Sequence, residues 1–136
     1  MKNKILLIIF LLAIIFLVSC KKEPGIGGDA SIRGKVYVKH YNPQFSHLLG
    51  EYYGPDIYVY IIYGNNISYG SRIKSTYEGA FEFKYLYEGD YKVYAYSKDS
   101  SAVVNGLVRP DSAVVRQVSI TGRNDDADVG DIVIFQ

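Results

Sequence analysis

Few side chains in this sequence have the types and the spacing that catalysis or metal binding needs. Both histidines, His40 and His47, lie with Glu51 in the segment 40–55 and could supply three ligands to a metal ion. Zinc sites use three or four such ligands, and the spacing here matches no known ligand pattern. We therefore expect neither a metal site nor a cofactor in this segment.

A second group of candidate ligands is the acidic stretch Asn124 to Asp128, followed by Asp131. Calcium binds to several such oxygens, but an EF-hand loop needs alternating ligands, a turn glycine and a distal glutamate that are not in register here. A solvated turn accounts for the stretch. The sequence also has no serine–histidine–aspartate arrangement, nucleophile elbow or phosphate-binding glycine loop. We expect a protein that is not an enzyme.

Tyrosines are the remaining candidates for a binding surface, and all 14 lie between Tyr37 and Tyr96. Tyr58 and Tyr60 share the outward face of one predicted strand, and Tyr94 and Tyr96 share that of another. If the two strands are neighbours, the four rings meet as cross-strand pairs and form an exposed contact surface. The alternative is that lysine stems and the segment 40–55 cover the rings and make them a second small core.

The segment 40–55 contains three further candidate binding residues: Tyr41, Tyr52 and Tyr53. A long aromatic loop is often functional, and its tyrosines can stack on sugar rings or dock in a pocket of a partner. In the other interpretation, Phe45, Leu48 and Leu49 fold back over one end of the domain. Both interpretations stay open at this stage.

The elements that position these residues are predicted to be strands. Alternation of apolar and polar residues, bounded by turn signals such as Gly64-Asn65-Asn66 and Glu88-Gly89-Asp90, predicts seven of them. They cover residues 32–39, 57–63, 69–76, 81–84, 91–96, 114–120 and 132–135. Seven short strands without a convincing helix indicate an all-β sandwich or a small barrel.

The inward parity of these strands predicts the core. We expect the following residues to be mostly buried: Val36, Val38, Ile57, Val59, Ile61, Phe81, Phe83, Leu86, Tyr91, Val93 and Ala95.

The N-terminus carries a targeting signal. Lys2 and Lys4 precede an apolar run, 5–18, that is shorter than the roughly 20 residues a membrane helix needs. Residues 1–19 are therefore predicted to be a cleaved secretory signal. The last four residues of this region, Leu17-Val18-Ser19-Cys20, resemble the lipobox of bacterial lipoproteins, which implies cleavage before Cys20 and attachment of a diacylglyceryl group to its thiol.

This resemblance implies a protein held to the membrane by lipid in the cell envelope, and we expect that membrane to be the outer membrane. Which leaflet and face it occupies stays open. Residues 20–30 are expected to be the lipidated N-terminus and a flexible tether, because three glycines and a proline order poorly. Residues 31–136 are expected to form one domain.

The central run Gly79-x-Phe81-x-Phe83-x-x-Leu86-x-x-Gly89-x-Tyr91-x-Val93-x-Ala95 resembles the carboxypeptidase regulatory-like domain. The first strand, Ile32-x-Gly34-x-Val36-x-Val38, matches the opening of that family. The resemblance implies a seven-stranded Greek-key sandwich of the transthyretin-like (prealbumin-like) type. Such domains are usually non-catalytic modules for folding, docking or ligand binding, so the fold by itself assigns no function.

Charge narrows the possible partners. The chain has 15 Lys and Arg against 14 Asp and Glu, and this balance argues against nucleic-acid binding, which needs a clustered basic face. We expect a membrane-anchored, non-catalytic envelope lipoprotein that binds a protein or a glycan. The alternative is a structural or assembly role as an accessory subunit of an outer-membrane complex.

Overall fold

The structure is a computed structural model that describes residues 22–98 and 111–136. The predicted signal peptide, 1–19, and the predicted lipidation site, Cys20, lie outside the described residues. The described residues form eight strands and no helix: β1 (Ile26–Tyr41), β2 (Leu48–Tyr53), β3 (Tyr58–Tyr63), β4 (Ser71–Lys74), β5 (Ala80–Leu86), β6 (Gly89–Lys98), β7 (Asp111–Ile120) and β8 (Asp126–Phe135).

The strands form two four-stranded sheets. In the first sheet, β1 is long enough to pair with three partners: β5 along residues 26–35, β2 along residues 37–41, and β8 along residues 31–39. Because β8 runs beside both stretches, β5 and β2 share the opposite edge of β1. The β1–β8 pair is parallel and the other pairs are antiparallel, including those of the second sheet, whose order is β4-β3-β6-β7.

The core lies between the two sheets and follows the predicted parity. The first sheet contributes Ile32, Val36, Val38, Phe81, Phe83, Ile132 and Ile134, and the second contributes Val59, Ile61, Tyr91, Val93 and Ala95, all 5% exposed or less. Of the residues predicted to be buried, only Ile57 is half-buried, because it precedes β3 at the rim of the core. The all-β prediction is therefore confirmed, as is the predicted inward-facing parity of the core strands.

The number of strands was predicted wrongly, because the segment 40–55 supplies an additional one. β1 continues to Tyr41, the chain turns, and β2 returns beside β1 with Tyr53 opposite Tyr37. The Asn42 side chain closes this turn: its Oδ1 accepts hydrogen bonds from the backbone N–H groups of Ser46 and His47 at 2.8 and 3.1 Å. Asparagine closes turns in this way by bonding to nearby backbone groups.

The proposal that Leu48 and Leu49 fold back over an end of the sandwich was also wrong. Leu48 is 46% exposed and Leu49 is 61% exposed. Both belong to β2, whose pairing with the far half of β1 holds them away from the core. Phe45 is half-buried and stacks on Tyr41, with ring centroids 5.6 Å apart.

The predicted tether, 20–30, is shorter than expected, because β1 begins at Ile26 and Ala30 is only 1% exposed. The backbone N–H of Tyr87 donates a hydrogen bond to the Gly25 carbonyl at 2.9 Å. A Cβ at Gly28 would clash with the backbone of Leu86. The lack of a side chain at Gly28 therefore allows two strands to approach closely, and this glycine does not indicate a flexible segment. The domain begins before residue 31.

Candidate functional site

The four tyrosines at alternating positions of β3 and β6 lie together on the outer face of the second sheet. β3 and β6 are neighbours, and Tyr60 lies directly opposite Tyr94. Inward residues of the same strands, such as Val59 and Ala95, are fully buried. Strand alternation thus places the rings of Tyr58, Tyr60, Tyr94 and Tyr96 on one surface, as the sequence predicts.

Tyr60 is at the centre of this surface. Its ring stacks on that of Tyr94, with centroids 5.0 Å apart and planes 11° apart. The rings of Tyr96 and Tyr69 form T-shaped pairs with the Tyr60 ring, with centroids 5.4 and 5.1 Å from its centroid. The Tyr58 ring lies 6.4 Å away. We call these five residues, Tyr58, Tyr60, Tyr69, Tyr94 and Tyr96, the tyrosine face; edge-to-face and stacked pairs of this kind stabilise each other.

The rings of the tyrosine face differ in exposure. Tyr58, Tyr69 and Tyr96 are 42%, 49% and 47% exposed, whereas Tyr94 is 8% exposed. Burial, followed by a hydrogen bond with Tyr96, raises the pKa of Tyr94 to about 12. Tyr94 is therefore a neutral, buried support, and the neighbouring rings form the accessible surface.

The segment 40–55 does not cover this face, which corrects the alternative that it does. Its strand β2 pairs with β1 in the first sheet, on the other side of the sandwich. What does lie over the rings is a pair of cations from β4. The Arg72 guanidinium carbon is 4.6 Å from the Tyr58 ring centroid, and Lys74 Nζ is 5.3 Å from it.

These two cations give the tyrosine face a positive border. A hydrogen bond with Tyr60 raises the pKa of Arg72, so this guanidinium stays charged. Lys74 lies 3.4 Å from the Asp56 carboxylate, in an ion pair exposed to solvent. Among the described carboxylates, none is within ion-pair distance of Arg72. The guanidinium thus has N–H donors available to a ligand.

The other three candidate tyrosines are not part of this surface. Tyr41, Tyr52 and Tyr53 belong to the β1–β2 hairpin of the first sheet. Tyr41 contacts Phe45 and Phe135. Tyr52 and Tyr53 are 43% and 41% exposed, and they point to opposite faces of the hairpin because they are consecutive in a strand.

Tyr53 forms one wall of a cleft of about 630 Å³ on the first sheet, at the place where β2 and β5 meet the same edge of β1. Some of the polar side chains that line this cleft have partners. Arg33 pairs with Asp126 at 2.7 Å, Lys35 Nζ lies 4.6 Å from the Tyr53 ring centroid, and the Tyr53 hydroxyl lies 3.4 Å from Asp131. Only two aromatic side chains, Tyr53 and Phe81, are among the residues that line the cleft, so it lacks a cluster of rings like that of the tyrosine face.

Most of the candidate metal ligands have other partners, whereas the buried Nδ1 of His40 has no hydrogen-bond partner among the described residues. Glu51 forms an ion pair with Lys39 at 3.1 Å, and His47 Nδ1 lies 3.0 Å from the Ser46 hydroxyl. In the acidic stretch, Asp126 and Asp128 both pair with Arg33. Within residues 22–98 and 111–136, no three histidine, cysteine or carboxylate side chains are grouped to hold a metal ion.

Sequence reasoning missed three residues of this surface: Tyr69, Arg72 and Lys74. Arg72 and Lys74 alternate along β4, opposite Tyr60 and Tyr58. That spacing was available in the predicted strand 69–76 and could have placed both cations on the tyrosine face. Tyr69 lies in the loop before β4, where no strand parity applies.

Comparisons with known proteins add little to this geometry. No family model matches the chain, and no curated protein is significantly similar to it. Among solved structures, a Pseudomonas aeruginosa protein provisionally described as a carbohydrate binding protein aligns with a TM-score of 0.48 and 12% identity, over 82% of this chain and 91% of that one. In the described parts of the chain there is no helix long and apolar enough to cross a membrane.

Proposed function

We propose that the protein is a lipid-anchored, non-catalytic glycan-binding module of the cell envelope, and that the tyrosine face holds the glycan. One observation carries the proposal: the rings of Tyr58, Tyr60, Tyr69 and Tyr96 form a continuous, accessible surface around the buried Tyr94. Isolated exposed apolar residues are common on protein surfaces, but a contiguous cluster marks a contact surface.

The chemistry of tyrosine suits a sugar. A pyranose ring has a face of C–H groups that packs on an aromatic ring, and hydroxyls at its rim that exchange hydrogen bonds with phenol groups. Tyrosine presents both an apolar body and a polar tip. Because Tyr60 and Tyr94 are already stacked and Tyr96 is in contact with both, little side-chain entropy is lost when a ligand binds.

The border of the face points to a sugar that carries carboxylates. Arg72 and Lys74 lie beside Tyr58, and a guanidinium binds a carboxylate through two parallel hydrogen bonds. A uronic-acid polysaccharide offers ring faces and carboxylates at a regular spacing. We therefore expect acidic polysaccharides to bind more tightly than neutral ones, and the difference to fall as salt concentration rises.

A test by affinity electrophoresis uses the full chain in detergent with gels that contain polygalacturonate or dextran. Wild type should be retarded by polygalacturonate, and Tyr96→Ala and Arg72→Ala should lose most of this retardation. Tyr77→Ala is the matched control, because Tyr77 is 90% exposed and lies outside the tyrosine face, in the turn between β4 and β5. If Tyr96→Ala and Tyr77→Ala migrate alike in every gel, the tyrosine face does not bind these glycans.

The second candidate function is docking on a protein partner as an accessory subunit of an outer-membrane complex. The observation in its favour is that the rings are interlocked on the open face of a sheet, and protein interfaces are rich in tyrosine and arginine. Failure of all polysaccharides to bind, together with a membrane complex that crosslinks to wild type but not to Tyr96→Ala, would favour docking over glycan binding.

The anchor is proposed from Leu17-Val18-Ser19-Cys20. Cys20→Ser should abolish processing of the signal and attachment of lipid. Membrane fractionation of cells that express the variant provides the test, and normal processing with full membrane retention would exclude a lipid on this residue. The outer membrane is the proposed location, to be checked by separating inner and outer membranes on a sucrose gradient.

The proposed fold type is the transthyretin-like Greek-key sandwich of carboxypeptidase regulatory-like domains. Supporting it are the central run from Gly79 to Ala95, whose Phe81, Phe83 and Val93 lie in the core, and the pairing of β5 with β1. Superposition of the two sheets on those of family members would test this assignment, and a different order of strands would overturn it.

A further inference from the structure

The chain between Lys22 and Ile26 is fixed to one end of the sandwich. The Gly25 N–H donates a hydrogen bond to the Tyr91 hydroxyl at 3.0 Å, and this hydroxyl donates to the Tyr87 carbonyl at 2.6 Å. Lys22 Nζ lies 4.6 Å from the Tyr87 ring centroid. Because the Tyr91 ring is 1% exposed, these bonds tie the N-terminal segment directly to the core.

Pro24 identifies which end this is. Its ring packs against Gly64, at the end of β3, and against Gly89, at the start of β6. The same end carries the loop 64–70, the end of β5 next to Leu86, and the loop 121–125 between β7 and β8. We call this the Pro24 end of the sandwich.

The distance from the proposed anchor to the Pro24 end is short. Cys20 precedes Lys22 by two residues and Pro24 by four. A fully extended chain covers at most about 3.6 Å per residue, so Pro24 lies no more than about 14 Å from the Cα of Cys20. The polar headgroup layer itself is several ångströms deep. A lipid on Cys20 therefore brings the Pro24 end to the surface of the bilayer.

This end has the exposed apolar side chains that such a position favours. Ile67, in the loop 64–70, is 99% exposed, and Tyr85 and Ile26 are 67% and 61% exposed. Transfer of exposed isoleucine and tyrosine side chains from water to the interface between headgroups and acyl chains lowers the free energy.

Charge does not draw this end to the membrane. The segments 22–29, 64–70, 85–90 and 121–125 contain the cations Lys22 and Arg123 and the carboxylates Glu23, Asp29, Glu88, Asp90 and Asp125. Two of these carboxylates have partners within the protein: Asp29 forms an ion pair with Arg123 at 2.8 Å, and Asp90 accepts a hydrogen bond from the Ser119 hydroxyl at 2.6 Å. The contact must then come from the anchor and from apolar side chains.

We propose that the Pro24 end lies on the lipid surface, with Ile67 inserted among the headgroups. This inference rests on the proposed lipidation of Cys20. The strands β3 and β6 then lead away from the bilayer, because β3 ends and β6 begins at the Pro24 end. Tyr58 and Tyr96, at the other ends of these strands, are held away from the membrane and accessible to a ligand.

The experiment measures the depth of two single fluorophores in the membrane. Cys20 is the only cysteine, so in the lipidated protein an introduced cysteine is the sole free thiol. Ile67→Cys places the label at the Pro24 end. Tyr77→Cys is the matched control, because Tyr77 is 90% exposed in the turn between β4 and β5, at the opposite end of β4 from Ile67. Both proteins are labelled with nitrobenzoxadiazole and reconstituted in vesicles of phosphatidylethanolamine and phosphatidylglycerol.

The label at position 67 should emit at shorter wavelength than the label at position 77, and lose most of its emission when lipids with doxyl-labelled acyl chains are included. Raising the salt concentration should leave the differences in emission wavelength and in quenching between the two positions unchanged. Protein that floats with the vesicles but shows equal quenching at the two positions overturns the membrane contact while leaving the anchor intact. Protein that does not float overturns the anchor and, with it, this inference. Circular dichroism of both labelled proteins confirms that each is folded.

Discussion

The ring of Tyr60 lies parallel to that of Tyr94, 5.0 Å away, on the outer face of a sheet whose inner face forms the core. Cross-strand pairing sets this contact, since the two residues are directly opposite in register. Tyr94 is nearly buried by its neighbours, whereas Tyr96, two residues further along β6, is half exposed. The tyrosine face therefore combines a structural layer with an accessible one, and substitutions can separate the two.

Truncating the buried ring should cost much more stability than truncating the exposed one. Tyr94→Ala removes an 8% exposed ring and leaves a cavity, for which we expect a loss of about 3–5 kcal/mol in the free energy of unfolding. Tyr96→Ala should cost about 1 kcal/mol. Urea denaturation followed by circular dichroism measures both. Equal losses would show that Tyr94 does not support the other rings.

A double-mutant cycle on Tyr60 and Tyr94 isolates their contact. Stacked aromatic pairs contribute about 0.5–1.5 kcal/mol beyond burial, and we expect a coupling energy in this range. Tyr60 and Tyr77 provide the control cycle, because they belong to no common ring pair among the described residues. A Tyr60–Tyr94 coupling as small as the control value would contradict the stacked geometry.

High pH should weaken the fold through Tyr94. Burial raises the pKa of Tyr94 to about 12 from its ordinary value of 10.0. Below pH 10 the phenol is neutral in both the folded and the unfolded chain. As pH rises from 10 to 12 the unfolded chain releases the proton more readily, so stability is lost over this interval.

Chemical denaturation at several pH values between 8 and 12 provides the measurement. Tyr94→Phe should flatten part of the decline, since it removes the phenol and keeps the ring. The decline should not vanish, because burial also raises the pKa values of Tyr63 and Tyr91. A pH profile of Tyr94→Phe identical to that of wild type would show that Tyr94 does not titrate differently in the two states.

Period-2 alternation made the core and the tyrosine pairs predictable. Residues such as Phe81, Phe83 and Val93 face inward because side chains of one parity share one face of a strand. The same rule placed Tyr58 and Tyr60 outward. It could not show that Tyr94 is buried on that outer face, because this depends on how closely the rings of Tyr60 and Tyr96 pack against it.

Two features of the fold were missed from sequence, one because its strand lacks alternation and the other because it depends on a residue distant in the chain. β2 does not alternate, since Leu48, Leu49, Tyr52 and Tyr53 are all exposed, and its pairing with β1 relies on a turn closed by the Asn42 side chain. The predicted tether contains glycines that usually indicate flexibility. Here Gly28 allows close approach to Leu86, nearly 60 residues later, and that contact leaves no local signal.

Loss of the Tyr91 hydroxyl should loosen the N-terminal segment at Gly25 without disturbing the core, while the bond from the Tyr87 N–H to the Gly25 carbonyl remains. Tyr91→Phe keeps the buried ring and removes the bridge between the Gly25 N–H and the Tyr87 carbonyl. Leaving these groups unpaired should cost about 1–2 kcal/mol. Amide exchange at Gly25 should accelerate more than exchange in β6.

Tyr85→Phe serves as the control for Tyr91→Phe, since Tyr85 is 67% exposed and should lose almost no stability. Unchanged amide protection at Gly25 in Tyr91→Phe would mean that the hydroxyl does not hold the segment.

Two glycine-to-alanine substitutions distinguish the loss of stability caused by backbone strain from the effect of replacing a glycine at an unstrained position. Gly79, in the turn before β5, has φ of 74°, and a Cβ there would lie 2.8 Å from the Val36 carbonyl oxygen and 2.9 Å from Tyr53 Cβ. A positive φ is unfavourable for alanine by about 1–2 kcal/mol, and the contacts add to this, so Gly79→Ala should cost about 2 kcal/mol or more.

Gly50, in β2, has open space where a Cβ would lie, and its φ is not positive. Gly50→Ala should therefore be neutral or slightly stabilising, because alanine lowers the entropy of the unfolded chain. Thermal and urea unfolding of the two variants decide the point, and a Gly50→Ala variant as unstable as Gly79→Ala would show that strain at the turn is not the cause.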